Sequence, residues 1–281
     1  MTGSDPVTRN LTVYVADSVA PGTYNLQVRA TSGSRTKTAN LSLTVSVGGA
    51  GTTWTLRNLG DPLYGVAYGN GLFVAVGGGG TILTSPDGVS WTARTSGTGN
   101  DLYGVTYANG LFVAVGGGGT ILTSPDGVAW TAQTSGTGND LYGVTYANGL
   151  FVAVGWNGAI LTSSDGVTWT PRTSGTYSSL YGVTYGNGTF VAVGYNGAIL
   201  TSPDGVTWTP RISGTGDWFF GVTYGNGLFV AVGWNGAILT SSDGVTWTAQ
   251  TSGTGYPLFG VTYGNGTFVV VGEWGVILTS P

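Results

Sequence analysis

Residues 124–130 read Ser-Pro-Asp-Gly-Val-Ala-Trp, and variants of this phrase stand at five places in the chain. Each variant keeps a leading serine, an aspartate, the glycine directly after it and a tryptophan three residues beyond the glycine. Neighbouring aspartates are 39 residues apart (126 − 87), and they are Asp87, Asp126, Asp165, Asp204 and Asp243. A fixed period of this size is typical of repeat architectures.

The phrase predicts a tight turn between two β-strands. Asp-Gly between apolar runs favours a hairpin, because glycine adopts positive φ without steric cost. The Ser and Asp side chains are suited to hydrogen bonds with the backbone of the turn. The tryptophan then begins the next strand, where its ring buries about 150–250 Å².

This phrase resembles the box of the Asp-box (BNR-type) β-propellers, which reads Ser-x-Asp-x-Gly-x-x-Trp between the third and fourth strands of a blade. The version here is one residue shorter, since glycine follows aspartate directly. The resemblance extends from about residue 50 to the end of the chain. It implies a propeller fold in which the five aspartates are structural rather than catalytic.

One repeat contains four short stretches of strand-forming residues separated by turn signals. In the third copy, Asn148-Gly149 and Asn157-Gly158 mark two turns, and the Asp165-Gly166 phrase marks another. Four strands in such a repeat form one propeller blade. The predicted strands of this copy are 141–146, 150–154, 159–162 and 167–170.

Counting the repeats predicts an all-β, six-bladed β-propeller over residues 49–281. The chain ends at Pro281, before a fourth strand of the last blade, while Trp54 begins an unpaired copy of that strand near the N-terminus. We therefore expect the strand around Trp54 to complete the last blade and leave no open edge. The six inner units begin at Leu63, Leu102, Leu141, Leu180, Phe219 and Leu258.

Residues 1–48 do not repeat and form a separate predicted segment. Residues 11–15, 24–28 and 41–45 alternate with period two, as strands do. The segment resembles the last strands of immunoglobulin-like modules on bacterial extracellular proteins, but three strands cannot close such a sandwich. Two alternatives follow: a remnant packed on the main domain, or a half-domain completed by strand addition from another chain.

Composition narrows the possible functions. Charged residues make up 7% of the 281 residues and the net charge is −4, which argues against nucleic-acid binding. The chain has no Cys and no His, so disulfides, Ser-His triads and His- or Cys-based metal sites are excluded. No apolar run is long enough for a transmembrane helix, so membrane insertion is not expected. We predict no cofactor, no metal site and no catalytic residue.

Function is expected where the repeats differ. The second-to-third-strand turn and the loop between blades should open on one face of the propeller, opposite the Asp-Gly turn. Aromatic and amide side chains on one face suit sugar binding, because rings stack on C–H faces while amides meet hydroxyls. The alternative is that these rings pack between blades. The candidate ligand-binding residues are Trp156, Asn157, Tyr177, Tyr195, Asn196, Trp218, Trp234, Asn235, Tyr256 and Trp274.

A glycosidase is a further alternative, because propellers of the Asp-box type include such enzymes. Catalysis would need two carboxylates about 5–9.5 Å apart. The acidic residues on the candidate face are Asp61, Asp101, Asp140, Asp217 and Glu273. The sialidases of that family bind the substrate carboxylate with three inward arginines. Here the repeated arginines share one position on the outer strand, so we expect them on a solvated rim: Arg57, Arg94, Arg172 and Arg211.

The sequence thus favours a non-catalytic, extracellular or cell-surface propeller that binds a glycan or a surface polymer. A second hypothesis is a structural module in which residues 1–48 join another copy of the chain. The third is the glycosidase.

Overall fold

The computed structural model describes the backbone of residues 22–32 and 35–45, together with Leu56 and residues 60–281. The chain divides into two compact units, Met1–Leu56 and Arg57–Pro281. In the first unit, β1 (Gly22–Ser32) pairs antiparallel with β2 (Arg35–Val45), in a register that aligns Gly22 with Val45. These strands contain the predicted strands 24–28 and 41–45, while the one predicted at 11–15 lies outside the described residues.

The second unit is a six-bladed β-propeller, and the predicted all-β fold is confirmed. Each blade is an antiparallel meander in which consecutive strands pair. Blade 1 is β3 (Leu63–Gly69), β4 (Leu72–Gly77), β5 (Ile82–Ser85) and β6 (Thr92–Arg94). Blade 2 is β7 (Leu102–Ala108), β8 (Leu111–Gly116), β9 (Ile121–Ser124) and β10 (Thr131–Gln133). Blade 3 is β11 (Leu141–Ala147), β12 (Leu150–Gly155), β13 (Ile160–Ser163) and β14 (Thr170–Arg172).

The remaining blades repeat this plan. Blade 4 is β15 (Leu180–Gly186), β16 (Thr189–Gly194), β17 (Ile199–Ser202) and β18 (Thr209–Arg211). Blade 5 is β19 (Phe219–Gly225), β20 (Leu228–Gly233), β21 (Ile238–Ser241) and β22 (Thr248–Gln250). Blade 6 has three described strands, β23 (Leu258–Gly264), β24 (Thr267–Gly272) and β25 (Ile277–Ser280). Its predicted fourth strand around Trp54 lies outside the described residues.

The core lies between blades, because the second strand of an internal blade buries both of its faces. Successive side chains of a strand point to opposite faces. In β16, Phe190 and Ala192 therefore pack toward blade 3, whereas Val191 and Val193 pack toward blade 5. All four residues are fully buried. This packing explains why the second strands read as continuous apolar runs rather than as alternating ones.

The innermost strand of each blade carries a β-bulge. In β15 the pairing with β16 shifts between Leu180 and Gly182, and the same shift recurs in the other five blades. A bulge leaves one residue unpaired and redirects its side chain. That residue is aromatic in every blade: Tyr64, Tyr103, Tyr142, Tyr181, Phe220 and Phe259.

Candidate functional site

The turns between the third and fourth strands form one end of the blades and are held by repeated hydrogen bonds. In blade 4, Asp204 Oδ1 accepts hydrogen bonds from Ser202 Oγ (2.9 Å) and from the backbone amides of Val206 (2.9 Å) and Thr207 (2.8 Å). The indole Nε1 of Trp208 donates to the carbonyl of Gly205 at 2.9 Å. The aspartate thus accepts hydrogen bonds from the amides of its own turn. The tryptophan donates a hydrogen bond to the turn and packs in the core.

These hydrogen bonds lower the pKa of the turn aspartates. The pKa of Asp87, Asp165 and Asp204 falls from 3.8 to about 2. The main cause is the amide three residues further on, followed by the amide two residues on, since both favour the charged carboxylate. The pKa of Asp126 and Asp243 is lowered for the same reason.

The turns between the second and third strands lie at the opposite end of the blades. Only two of their three positions require a residue that tolerates positive φ. The central residue has positive φ, and the third is a glycine that also has positive φ. In blade 4, a Cβ on that glycine, Gly197, would lie 2.0 Å from the carbonyl oxygen of Thr215. The first position has neither restriction. The turns are Gly78–Gly80, Gly117–Gly119, Trp156–Gly158, Tyr195–Gly197, Trp234–Gly236 and Glu273–Gly275.

Three of the candidate aromatic residues form a contiguous surface, here called the aromatic patch: Tyr195, Trp218 and Trp234. The ring of Trp218 lies 4.7 Å from that of Tyr195 and 5.8 Å from that of Trp234, measured between centroids. The three side chains are 42%, 38% and 46% exposed, respectively. Two of them occupy the free first position of their turns, and the third lies in the loop between blades 4 and 5.

Polar groups border the aromatic patch. Asp217 precedes Trp218, and its Oδ1 accepts a hydrogen bond from Asn235 Nδ2 at 3.2 Å. Its other oxygen, Oδ2, accepts one from the Thr215 hydroxyl at 2.6 Å. The carbonyl of Asp217 also accepts the amide of Gly197, which joins this loop to the turn of blade 4. The patch is therefore built from two adjacent blades and fixed by hydrogen bonds at its edge.

The other candidate aromatics are exposed but stand apart from this stack. Trp156 is 55% exposed, Tyr177 is 88% exposed and Tyr256 is 50% exposed. Within residues 60–281, no other aromatic ring stacks on any of these three. Tyr177 and Asn157 line an open cavity of about 500 Å³ together with Arg172.

The candidate asparagines hold the central, positive-φ position of their turns. Asn157, Asn196 and Asn235 have φ of 56°, 53° and 55°. Asparagine tolerates this region better than most residues. Their place in the repeat therefore has a backbone cause that is independent of ligand binding.

Trp274 occupies that central position in the last blade, with φ of 54°. The other five blades have glycine or asparagine at this position. Among the described residues, Trp274 is the only one with positive φ that is neither glycine nor asparagine. Its side chain is 83% exposed. The sequence analysis groups Trp274 with Trp156 and Trp234. In the structure, however, Trp274 stands one position later in its turn than they do in theirs, and its φ is positive where theirs is not.

The candidate carboxylates mostly bind neighbouring turns. Asp101 accepts the amide of Gly79 at 2.8 Å, and Asp140 accepts the amide of Gly118 at 2.8 Å, so each links its blade to the preceding one. Asp61 accepts the Thr81 hydroxyl at 3.1 Å. Glu273 is exposed at the start of the last turn.

The repeated arginines bind the neighbouring strand of their own blade. The Nε atoms of Arg94, Arg172 and Arg211 donate to threonine hydroxyls on the third strand at 2.8 Å, and Arg57 lies outside the described residues. No group of three or more acidic, His or Cys side chains suited to a metal ion occurs in the part of the chain that the structure describes. Nor do those residues include a helix able to cross a membrane.

The structure also shows an aromatic arc that the sequence reasoning missed. The six bulge residues contact one another in sequence order, with ring centroids 5.3–5.6 Å apart. Burial, followed by the charge of Asp140, raises the pKa of Tyr142 to about 12. The available signal was an aromatic residue at the second position of every inner unit. Because an aromatic residue at that position also fits an ordinary strand, the sequence does not predict its contact with the next blade.

Comparison with known proteins supports the fold and leaves the family open. No protein-family model and no curated protein matches the chain. A solved structure of YCF48 bound to a D1 peptide is similar, with a TM-score of 0.64, 18% identity, and coverage of 88% of this chain and 82% of that one. YCF48 from Cyanidioschyzon merolae has a TM-score of 0.51 at 17% identity, covering 77% and 94%. The computationally designed Ika8 protein has a TM-score of 0.62 at 10% identity, covering 77% and 70%. At these identities the likeness concerns the fold alone.

Proposed function

We propose that this chain is a non-catalytic binding propeller of the Asp-box type that holds carbohydrate on the aromatic patch. The observation that carries the proposal is the contiguous stack of Tyr195, Trp218 and Trp234, half exposed and bordered by Asp217 and Asn235. The blade fold needs no aromatic at the first position of these turns, because blades 1 and 2 use glycine there. Packing alone therefore does not account for the patch.

A sugar suits this surface because its C–H face stacks on rings while its hydroxyls meet amide and carboxylate oxygens. Ring stacking contributes about 0.5–1.5 kcal/mol beyond area burial. We expect a dissociation constant of about 10 µM to 1 mM for one sugar unit, near −4 to −7 kcal/mol. Useful strength then comes from several sites on one polymer, in keeping with an extracellular or cell-surface setting.

The test is a glycan array followed by calorimetric titration of the polysaccharide that binds. Trp234→Ala should weaken binding about tenfold, because one stacking ring is removed, and should shift Tm by no more than a few degrees. Trp156→Ala is the matched control, since it removes the same side chain from the same turn position, outside the patch, and should change affinity less than twofold. Equal losses from both variants, or no glycan binding at all, would contradict the proposal.

A peptide is the second candidate ligand, favoured by the similar structure of YCF48 bound to a D1 peptide. An array of extended peptides, screened against the same two variants, separates the candidates. Enzymatic activity is the remaining alternative, and release of chromophore from aryl glycosides would establish it. We expect none, because four of the five candidate carboxylates hold neighbouring residues through hydrogen bonds, namely Asp61, Asp101, Asp140 and Asp217.

A further inference from the structure

The open cavity at blade 3 is lined by side chains from three parts of the repeat. Its volume of about 500 Å³ lies in the range of small-ligand sites. Asn139 lies in the loop that enters the blade, Asn157 in the turn between β12 and β13, Arg172 on β14 and Tyr177 in the loop that leaves the blade. Among the lining residues, all of which the structure describes, Arg172 is the only charged one. The cavity therefore has an uncompensated positive charge.

The fold uses only one hydrogen-bond donor of the half-buried Arg172 side chain. Its Nε donates to Thr162 Oγ1 at 2.8 Å. Glutamine makes the same contact in blade 2, where Gln133 Nε2 donates to Thr123 Oγ1 at 2.8 Å. Within the described part of the chain, no carboxylate pairs with Arg172. The bond to Thr162 thus holds the guanidinium in place and leaves its terminal nitrogens for a ligand, which lowers the entropy cost of binding.

The loop that carries Tyr177 does not need the tyrosine side chain. Ser174 Oγ donates to the carbonyl of Thr176 at 3.0 Å, and the amide of Ser178 donates to Thr176 Oγ1 at 3.0 Å. The same two bonds hold the corresponding loop of blade 2, where the equivalent residue is Gly138. Blades 1, 4 and 5 also have glycine there, at Gly99, Gly216 and Gly255. The exposed ring of Tyr177 therefore stands on a fixed loop at the rim of the cavity.

Among blades 1 to 5, only blade 3 combines arginine at the first of these positions with tyrosine at the second. Blades 1 and 4 pair arginine with glycine, and blades 2 and 5 pair glutamine with glycine. A guanidinium binds a carboxylate through two parallel N–H donors. A ring beside amide groups suits the C–H face and the hydroxyls of a sugar.

We propose that this cavity binds a hexuronic acid unit of a glycan, with the carboxylate on the terminal nitrogens of Arg172 and the sugar ring beside Tyr177. We name it the acidic-sugar site, defined by Asn139, Asn157, Arg172 and Tyr177. The amides of the two asparagines supply partners for the sugar hydroxyls.

The inference rests on the proposed function for its ligand class, a glycan, but it uses a different surface. The acidic-sugar site and the aromatic patch share no residue. Their charges also differ, because the carboxylate of Asp217 borders the patch whereas a guanidinium lines the cavity. Since like charges repel, a uronate unit suits the cavity and a neutral unit suits the patch.

The test compares oligomers of glucuronic and galacturonic acid with their methyl esters, because the ester keeps the sugar chain and removes its charge. In calorimetric titration of the wild type, an acid form should bind about tenfold more tightly than its ester, the effect of one charge-assisted hydrogen bond. Arg172→Gln should abolish this preference. The variant should fold, since Gln133 makes the equivalent bond in blade 2. Tyr177→Gly, which copies the other blades, should weaken both forms about three- to tenfold through loss of a stacked ring.

Arg211→Gln is the matched control, because it makes the same substitution in blade 4, where Gly216 takes the place of the tyrosine. It should leave the preference within about twofold, as the loss of a surface charge without a site does. Equal losses from Arg172→Gln and Arg211→Gln would overturn the proposal and show a general attraction to charge at the rim. Equal affinity for acid and ester, or no binding of any acid form, would also overturn it.

Two further outcomes separate this proposal from the proposed function. If Trp234→Ala weakens glycan binding while Arg172→Gln changes nothing, the aromatic patch stands and the acidic-sugar site fails. If Arg172→Gln abolishes the preference for the acid form while Trp234→Ala leaves every glycan affinity unchanged, the acidic-sugar site stands and the patch fails. An acidic peptide that binds through Arg172 in place of the uronates would overturn the assignment to a sugar.

Discussion

The two ends of each blade obey different constraints. Where the third and fourth strands meet, the serine, aspartate, glycine and tryptophan of the turn recur in blades 1 to 5, and every one of them makes a hydrogen bond. At the opposite end, the turn changes from Gly-Gly-Gly to Trp-Asn-Gly and Glu-Trp-Gly. There the backbone needs positive φ at two positions and leaves the first side chain free.

This difference shows how a repeat protein separates stability from recognition. A residue that satisfies amides of its own turn cannot vary without leaving a polar group unpaired. A side chain that only projects from a turn can change without cost to the fold. Two residues of the aromatic patch, Tyr195 and Trp234, stand at such free positions, so substitutions at the two ends should have different consequences.

The largest effect is expected from the tryptophan that joins the uniform turn to the core. Trp208 is 7% exposed and packs with Phe190 and Leu200. Trp208→Ala should lower the free energy of unfolding by about 3–5 kcal/mol, as other aromatic-to-alanine changes in packed cores do. Trp234→Ala removes the same side chain at the variable end and should cost about 1 kcal/mol or less. Urea titration of both variants measures the two losses of unfolding free energy. Equal losses would contradict the difference between the two ends.

A smaller effect is expected from the turn aspartate. Asp204→Ala leaves the amides of Val206 and Thr207 without their acceptor and should cost about 1–2 kcal/mol, as the loss of a helix cap does. Asp204→Asn keeps the Oδ1 acceptor and should cost less. An alanine variant as stable as the wild type would show that water satisfies the turn amides equally well.

The same aspartate makes stability depend on pH. Its pKa is about 2 in the folded protein against an ordinary 3.8, so the unfolded chain binds its proton first as pH falls. The stabilisation is fully present above about pH 4 and disappears as pH falls through about 2. The difference in unfolding free energy between wild type and Asp204→Asn should therefore shrink over this interval and stay constant from pH 5 to 7.

The uniform end was the more predictable of the two from sequence. The five Asp-Gly phrases define the period, the turn and the strand order, because their roles are local and depend on residues within one turn. The aromatic patch was only partly predictable. Trp156 and Trp234 occupy identical positions in nearly identical repeats, yet only Trp234 meets a partner, because Trp218 stands in the adjacent loop where blade 3 has Asp140. That contact depends on how neighbouring blades align, which no single repeat encodes.

The aromatic arc was not predictable for a similar reason. Tyr142 meets Tyr103 and Tyr181 only because a bulge redirects it toward both neighbours. Exposure at one repeat position also differs between blades, since Leu63 is 41% exposed and Leu102 is 0% exposed.

The smallest effect is expected at Trp274, which combines features of both ends. It projects into solvent like the patch residues, but it occupies the position where the backbone demands positive φ. A bulky residue in this region costs about 1 kcal/mol or more. Trp274→Asn, which copies blades 3 to 5, should therefore raise the free energy of unfolding by about 1 kcal/mol. Asn157→Trp makes the reverse change in blade 3 and should lower it by a similar amount. Since Trp274 lies outside the aromatic patch, glycan affinity should stay within about twofold in both variants. A Trp274→Asn variant that is less stable than the wild type would mean that the exposed ring makes stabilising contacts, and that this turn is constrained by its side chain as well as by its backbone.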